Sequence, residues 1–85
     1  MRFTVLLKPS ARKKLTRLPG HVKRRVITTL GKLADNPFPT GVKKLRSEAD
    51  TYRVRLGDYR IIYEVHGHEL TILVLEIGHR RDVYR

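Results

Sequence analysis

The sequence predicts one α+β domain: an N-terminal strand, a two-helix hairpin and a three-stranded antiparallel meander, with the helices packed on one face of a single sheet. After residue 10, apolar residues in the first half of the chain recur every three to four positions, which is the period of an amphipathic helix. In the second half they alternate with polar residues, which is the period of a strand. The 85 residues hold no repeat, linker or low-complexity segment, so residues 1–85 are expected to form a single domain.

The first strand is predicted over residues 2–8, which are rich in apolar and β-branched side chains. It is expected to end at Pro9, because proline has no backbone N–H to offer to a sheet. Ser10 is the predicted N-cap of the first helix. The apolar residues of that short amphipathic helix fall at i, i+4 and i+7, at Ala11, Leu15 and Leu18.

A second helix is predicted between the break at Pro19 and Gly20 and the pair Asp35 and Asn36. The two helices together form an αα-hairpin. The buried stripe of the second helix consists of apolar residues at helical spacing: Val22, Val26, Leu30 and Leu33. An extended loop over residues 36–41, which contains two prolines, then leads to the sheet.

The three strands of the meander follow, separated by reversals at residues 57–58 and 66–68. The first strand alternates apolar and arginine side chains over residues 52–56, so one of its faces is apolar and the other cationic. The second covers residues 59–65. The third, residues 70–77, is apolar on both faces and is therefore predicted to lie inside the sheet. The helices are expected to cover the apolar face and to leave the arginine-rich face exposed.

The strongest feature of the composition is its charge: 19 Lys and Arg residues against 8 Asp and Glu residues give a net charge of +11, with a pI ≈ 10.8. Such an excess favours binding to a polyanion or to an acidic protein. A membrane span and export are not expected, because no apolar run approaches the roughly 20 residues of a span and no signal peptide is evident. A membrane surface is not the expected partner either, because the basic residues are spread along the chain and no single basic amphipathic helix carries Trp or Phe. The absence of cysteine fits a reducing compartment, so the chain is expected in the cytoplasm.

Several arginines fall on the predicted meander and directly after it. Arg53, Arg55 and Arg60 fall on two adjacent strands. Three more candidate side chains follow the last strand: Arg80, Arg81 and Tyr84. A guanidinium is always protonated, planar and able to bind phosphate through two parallel hydrogen bonds, so it suits the extra charge of a pentacoordinate phosphorane. The cluster therefore predicts phosphodiester chemistry, and the alternative is that these arginines are solvated surface charges.

Short motifs along the chain carry a family resemblance. They are Asn36-Pro37, Lys43-Lys44-Leu45, Tyr52-Arg53-Val54-Arg55, Gly57-Asp58-Tyr59-Arg60, Tyr63 and Gly78-His79-Arg80-Arg81-Asp82-Val83-Tyr84, preceded by Ala11, Lys14-Leu15 and Leu18 in the first helix. In the order and spacing of these motifs the chain resembles the RelE/ParE toxin superfamily. The resemblance covers nearly the whole chain.

The resemblance implies a RelE-like fold and the toxin of a type II toxin–antitoxin pair, a ribosome-dependent, metal-independent endoribonuclease. Such an enzyme cleaves mRNA in the ribosomal A site by attack of the 2′-hydroxyl on the neighbouring phosphate, which stops translation and growth. By the same resemblance, Arg60 and Arg80 match the arginines that stabilise the phosphate, with Arg80 also assisting the leaving oxygen. Tyr84 matches the aromatic residue that orients the substrate base or stacks on it. No cofactor is implied.

Arg53 and Arg55 depart from the family pattern, because well-known members carry lysines there, one of which has been proposed as the general base. Both stay in the candidate catalytic set as cations, but with a pKa above about 12 an arginine is a poor base. Histidine is the residue type that commonly serves as acid or base near neutral pH, so His79, which lies beside Arg80 in the sequence, is the candidate acid or base. The alternative for His79 is a structural hydrogen bond.

The remaining polar candidates are assigned to binding or to no site. Four basic residues are predicted to contact mRNA or ribosomal RNA: Lys43, Lys44, Arg46 and Arg81. His66 and His68, two residues apart in a turn, and His21 at a helix start are expected to be exposed residues without a metal. The chain has no Cys and no third ligand lies nearby in the sequence, so no metal site is expected.

The resemblance also implies partners. A cognate RelB-like antitoxin is expected to lay an acidic segment along the basic surface, as a helix or strand, in a toxin–antitoxin heterocomplex. The other expected partners are mRNA on the ribosome and the 16S and 23S rRNA. Two interpretations from other classes stay open: a ParE-like toxin of this fold that inhibits DNA gyrase without nuclease chemistry, and a noncatalytic basic RNA-binding module.

Overall fold

The structure, a computed structural model, describes residues 2–45, 50–79 and 81. Two helices pack on one face of a single sheet, which confirms the predicted α+β fold. The elements in chain order are β1 (Thr4–Leu7), α1 (Pro9–Arg17), α2 (Gly20–Asp35), β2 (Lys43–Lys44), β3 (Thr51–Leu56), β4 (Tyr59–His66) and β5 (Thr71–His79).

The sheet has the strand order β1-β5-β4-β3-β2. Strands β3, β4 and β5 form the predicted antiparallel meander, and β5 lies inside the sheet as its apolar composition predicts. Strand β1 pairs with β5 in parallel, so the sheet is mixed. The sequence does not predict the two-residue strand β2, because two adjacent lysines show no apolar alternation. This strand pairs antiparallel with β3.

The prediction that Ser10 caps α1 is wrong. The helix begins at Pro9 with Lys8 as its N-cap, and in the part of the chain that the structure describes no side chain caps that end. Proline suits the first helical position, because its fixed φ is already helical and its missing N–H would have no helical partner there. The first turn closes instead through the backbone, where the Arg12 N–H donates to the Lys8 carbonyl at 2.9 Å.

The core lies between the helices and the facing side of the sheet. The predicted stripe of α2 is buried throughout, and Val26 and Leu33 are fully enclosed. The sheet contributes residues that are equally enclosed, namely Ile61, Tyr63, Ile72 and Val74. This packing defines two sides of the sheet, one towards the helices and one away from them.

A β-bulge between β4 and β5 decides which residues of β5 face the helices. Ile62 pairs with Glu76 while the next residue, Tyr63, pairs with Val74, so Leu75 is the additional residue in β5. Before the bulge Val74 faces the core, and after it Ile77 does so as well, although the two are three residues apart. As a result Glu76 and Gly78 lie on the side of the sheet away from the helices.

Candidate nucleic-acid interface

Four cationic side chains share the side of the sheet that faces away from the helices. Arg55 pairs directly with Arg60, and Lys43 pairs directly with Arg53. Paired residues of neighbouring strands point to the same side of a sheet, and so do residues two apart in one strand. We call this surface the cationic face and define it by Lys43, Arg53, Arg55 and Arg60.

The members of the cationic face differ in exposure. Arg53 is 8% exposed and Arg60 is 7% exposed, whereas Arg55 and Lys43 are exposed. The Nε atoms of Arg53 and Arg60 are sealed from solvent. Ile62 pairs with Arg53 and lies two residues after Arg60 in β4, so its apolar side chain is a neighbour of both buried arginines on this face. The face therefore combines two arginines fixed within the sheet surface with two cations accessible to a ligand.

The electrostatics of the face follow from this packing. Burial lowers the pKa of the Arg53 guanidinium, and the neighbouring positive charge of Arg55 lowers it further. The group stays protonated at neutral pH, because the ordinary pKa of arginine is above about 12. A cation held away from water acts on an anion through a lower effective dielectric than a solvated one. Arg53 is thus suited to stabilise a negative charge that arrives or develops on the face.

Gly78 and Glu76 also belong to this side of the sheet. Gly78 pairs with Arg60, and because it has no side chain, the space beside the Arg60 stem is not filled from β5. Glu76 pairs with Ile62 and is exposed, one strand away from the arginines. Sequence analysis missed Glu76, since β5 reads as apolar on both faces. Only the bulge at Leu75 turns its carboxylate to the cationic face.

His79 lies on the other side of the sheet. It pairs with Tyr59, and the two rings meet edge to face with centroids 5.5 Å apart. The cavity around them is lined from the helix layer by Lys14, Arg17, Leu18 and Pro19. The Arg81 N–H donates to Nδ1 of His79 at 3.3 Å. The structure therefore does not bring the His79 ring to Arg60 and gives it the structural hydrogen bond that was its alternative role.

The predicted RNA contacts are distributed over both sides of the sheet. Lys43 belongs to the cationic face, but Lys44 pairs with Tyr52 and points to the helix side. Arg81 is exposed. Three other predicted site residues, Arg46, Arg80 and Tyr84, lie outside the described residues.

Two tyrosines of the meander, Tyr52 and Tyr63, pack against other aromatic rings. Tyr52 stacks on Tyr63 with centroids 6.0 Å apart, and Phe38 meets Tyr52 edge to face at 5.1 Å. The Tyr63 hydroxyl donates a hydrogen bond of 2.6 Å to the Pro37 carbonyl, which ties the loop after α2 to the core. Burial raises the pKa of the Tyr63 phenol, and Tyr52 adds to the effect.

His66, the last residue of β4, has two carboxylate neighbours. Nε2 of His66 lies 2.9 Å from Oε1 of Glu64, and Nδ1 of His66 lies 4.0 Å from Oε1 of Glu69. Within residues 2–45, 50–79 and 81, no group of three His, Cys, Asp or Glu side chains is arranged to hold a metal ion. The same residues include no helix with the length and apolar character needed to cross a bilayer.

Comparison with known proteins decides the family. A family model described as ParE toxin of type II toxin-antitoxin system, parDE, matches residues 5–84. Toxin RelG of Mycobacterium tuberculosis is 33% identical over 86 residues, which cover 100% of this chain and 99% of RelG. The chain belongs to the RelE/ParE toxin superfamily.

Solved structures of RelE/ParE toxins share the fold. The toxin–antitoxin complex RelBE2 of Mycobacterium tuberculosis contains a chain that matches with a TM-score of 0.82 and 32% identity, over 94% of this chain and 100% of that one. The archaeal RelE–RelB complex of Pyrococcus horikoshii matches with a TM-score of 0.83 and 34% identity, over 94% and 97% of the two chains. The resemblance that the sequence motifs indicate is thereby confirmed at the level of the superfamily.

The RelE/ParE motifs occupy defined places in this fold. Residues 52–55 form most of β3, residues 57–60 form the β3–β4 turn and the start of β4, and the lysine pair forms β2. Three consecutive motifs thus build the half of the sheet that carries the cationic face. A shared fold does not by itself determine the function. The arginines on β3 and β4 are therefore the candidate functional residues of this chain.

Proposed function

We propose that this RelE/ParE toxin is a ribosome-dependent endoribonuclease that cleaves mRNA in the ribosomal A site without a metal ion, and that the cationic face is its reaction surface. The single observation that carries the proposal is the direct pairing of Arg55 with the buried Arg60 beside Gly78. Guanidinium groups held by a paired sheet are preorganised, so they stabilise developing charge without first having to rearrange.

In the proposed reaction the 2′-hydroxyl oxygen forms a bond to the adjacent phosphorus and loses its proton. The bond from phosphorus to the 5′-oxygen then breaks, and that oxygen takes up a proton. The products are a 2′,3′-cyclic phosphate and a 5′-hydroxyl, so no water, oxidant or metal enters the balance. The main demand on the protein is stabilisation of the additional negative charge on the phosphorane.

The candidate residues divide this work by position. Arg60 and Arg53 are fixed in the sheet surface and stabilise the phosphorane, while the exposed Arg55 draws in the phosphate. Arg80 is proposed for the leaving oxygen and Tyr84 for the substrate base, both on the strength of the family resemblance. Four further basic residues are proposed to contact mRNA and rRNA: Lys43, Lys44, Arg46 and Arg81.

Two groups compete for the role of proton acceptor. His79 is the candidate from the sequence, but its ring packs against Tyr59 on the helix side of the sheet. Glu76 is exposed on the same side as Arg60. Proton transfer requires hydrogen-bond reach, directly or through one water, so position favours Glu76.

We further propose a cognate antitoxin and a cytoplasmic site of action. The two solved relatives described above are toxin–antitoxin complexes, which supports a heterocomplex here. A net charge of +11 favours an antitoxin with an acidic segment that covers the basic surface as a helix or strand. We propose that the antitoxin also extends over the cationic face, which keeps mRNA away from its arginines.

Primer extension on mRNA tests the proposal, with and without 70S ribosomes, for the wild type and for Arg60→Ala. Cleavage that needs ribosomes and disappears in Arg60→Ala is the expected result. Wild-type protein that leaves mRNA intact in both conditions would overturn the nuclease assignment.

The name of the matching family supports a second candidate, a ParE-like inhibitor of DNA gyrase. In vitro supercoiling separates the two functions. Full inhibition of gyrase by the purified chain, with no mRNA cleavage, would replace the proposal. A noncatalytic RNA-binding module is distinguished by ribosome binding that yields no cleaved product.

A further inference from the structure

The net charge of the molecule is concentrated in the part of the chain that precedes the sheet arginines. Residues 1–34 contain ten of the 19 Lys and Arg residues and none of the 8 Asp and Glu residues. This stretch, which covers β1, α1 and nearly all of α2, carries +10 of the +11 net charge. The remainder of the chain, including the cationic face, is close to neutral as a whole. The helix layer is therefore the electropositive side of the protein.

A groove beside α2 collects several of these charges. Its lining consists of His21, Arg24, Arg25, Thr28, Thr29 and Lys32, closed at one side by Leu56. We call it the α2 basic groove. At 1.5 Å per helical residue, the stretch from His21 to Lys32 extends over about 16 Å. The four basic side chains of the groove are exposed.

The groove reaches the β3–β4 turn but opens on the side of the sheet opposite to the cationic face. Gly57 in that turn lies next to Arg25, since a Cβ built on Gly57 would be 3.7 Å from an Arg25 guanidinium nitrogen. Leu56, which lines the groove, points to the core side because it is adjacent to Arg55 in β3. One RNA segment can therefore occupy the groove while another lies on the cationic face.

The charges of α2 have an electrostatic cost for the isolated protein. Neither helix has an acidic residue in its first turn, although an acid there would favour the helix dipole. Arg24 and Arg25 follow in the second turn of α2, close to the other basic residues His21 and Lys23. Among the described residues that line the groove, none is acidic. Binding of an external polyanion would relieve this repulsion. Packing of α2 against the sheet does not by itself require a groove lined with basic side chains.

We propose that the α2 basic groove is a second RNA-binding surface, which holds the phosphodiester backbone of a base-paired RNA. The lining offers guanidinium, ammonium and hydroxyl donors, the groups that contact phosphate. The described lining includes no Phe, Tyr or Trp, so it lacks the aromatic platform on which unpaired bases stack. Backbone contacts without stacking fit a structured RNA. This inference rests on the proposed function, because a toxin that works on the ribosome is surrounded by helical rRNA.

The test measures binding of a fluorescent RNA duplex of about 16 base pairs, at several salt concentrations, by anisotropy. The groove variant is Arg24→Gln/Arg25→Gln/Lys32→Gln. The matched control is Lys8→Gln/Arg12→Gln/Lys13→Gln, which removes the same charge from exposed positions outside the groove. All six side chains are exposed, so both variants are expected to fold. Circular dichroism checks this.

The groove variant is expected to bind the duplex at least about tenfold more weakly. The salt slope of log K is expected to fall by about 3, because each of the three substituted cations would no longer neutralise a phosphate. The control is expected to stay within about threefold of the wild type, because the groove supplies the specific contacts. Equal weakening in both variants would overturn the inference in favour of nonspecific charge. Unchanged RNA binding with weaker antitoxin binding would overturn it in favour of a protein interface.

Failure here and failure of the proposed function are distinguishable. Duplex binding does not require cleavage. If the wild-type protein binds the duplex through the groove but never cleaves mRNA, only the nuclease assignment is contradicted. Conversely, if mRNA cleavage requires both ribosomes and Arg60 while the groove variant binds duplex RNA like the wild type, only the proposal that the groove binds RNA is contradicted.

Discussion

Arg55 and Arg60 stand directly opposite each other on β3 and β4, with both side chains on the side of the sheet away from the helices. One is exposed and the other is 7% exposed, so the pair joins a cation that can meet a ligand to one that is fixed in the surface. Their like charges repel each other, and an anion placed between them relieves that repulsion. This pairing is the structural basis of the proposed reaction surface.

A side chain at position 78 is expected to disturb the pair. Gly78→Val places a branched side chain beside the Arg60 stem, since the two residues are paired on one side of the sheet. A small displacement of a catalytic group is costly, so ribosome-dependent cleavage should fall by about tenfold to a hundredfold. Time courses of mRNA cleavage on 70S ribosomes measure this.

Gly67→Ala is the control for that substitution. Nothing lies within 4 Å of a Cβ built on Gly67, so the variant should cleave like the wild type. If the Gly78→Val protein folds and retains full activity, the position of the Arg60 side chain does not depend on the absence of a side chain at position 78.

Because of Tyr63, the free energy of unfolding is expected to decrease at alkaline pH. Burial raises its pKa, so the folded state holds the phenol proton more tightly than the unfolded state does. The stability from this proton is fully present below the ordinary tyrosine pKa of about 10 and is lost as the pH rises through the raised folded value. Relative to Tyr63→Phe, the wild type should lose about 1.4 kcal/mol per pH unit above pH 10.

Urea unfolding of both proteins at pH 8 and at pH 11 measures the difference. At pH 8 the variant should be less stable by about 1 kcal/mol, because it cannot donate the hydrogen bond to the Pro37 carbonyl. An unchanged difference between the two proteins at pH 11 would mean that the phenol does not keep its proton in the fold.

The two candidate proton acceptors make opposite predictions. If the reaction takes place on the cationic face, Glu76→Gln should lower the single-turnover cleavage rate by about a hundredfold, because the amide cannot accept the proton of the 2′-hydroxyl. His79→Gln should change the rate by less than about threefold, because its ring packs on Tyr59 behind the sheet. The reverse order of effects would restore His79 as the acid or base.

The sequence predicts well what depends on local periodicity. The four-residue apolar spacing of α2 gives both its extent and its buried stripe, and the alternation in β3 gives its two faces. These patterns are repeated at every turn or every second residue, so single exceptions do not hide them. The interruption between α1 and α2 at Pro19 is also predictable from the sequence. Pro9 shows, however, that proline can begin a helix as well as end a strand.

What the sequence does not predict depends on pairing between distant segments. The parallel contact of β1 with β5 joins the two ends of the chain and has no local signature. The additional Leu75 in β5 is invisible in a strand that is apolar throughout, yet it places Glu76 and Gly78 on the cationic face. The concentration of charge in residues 1–34 is visible in the sequence, but only as an absence of acids, and a count of basic residues alone overlooks it.

The central claim is that the arginines of the cationic face stabilise the transition state rather than merely bind RNA. Single-turnover cleavage by Arg60→Ala at saturating 70S–mRNA complex, together with its ribosome affinity, tests this most directly. We expect the rate to fall by at least about a hundredfold while the affinity changes by less than about threefold. A variant that binds ribosomes much more weakly but cleaves at the wild-type rate once saturated would contradict the account.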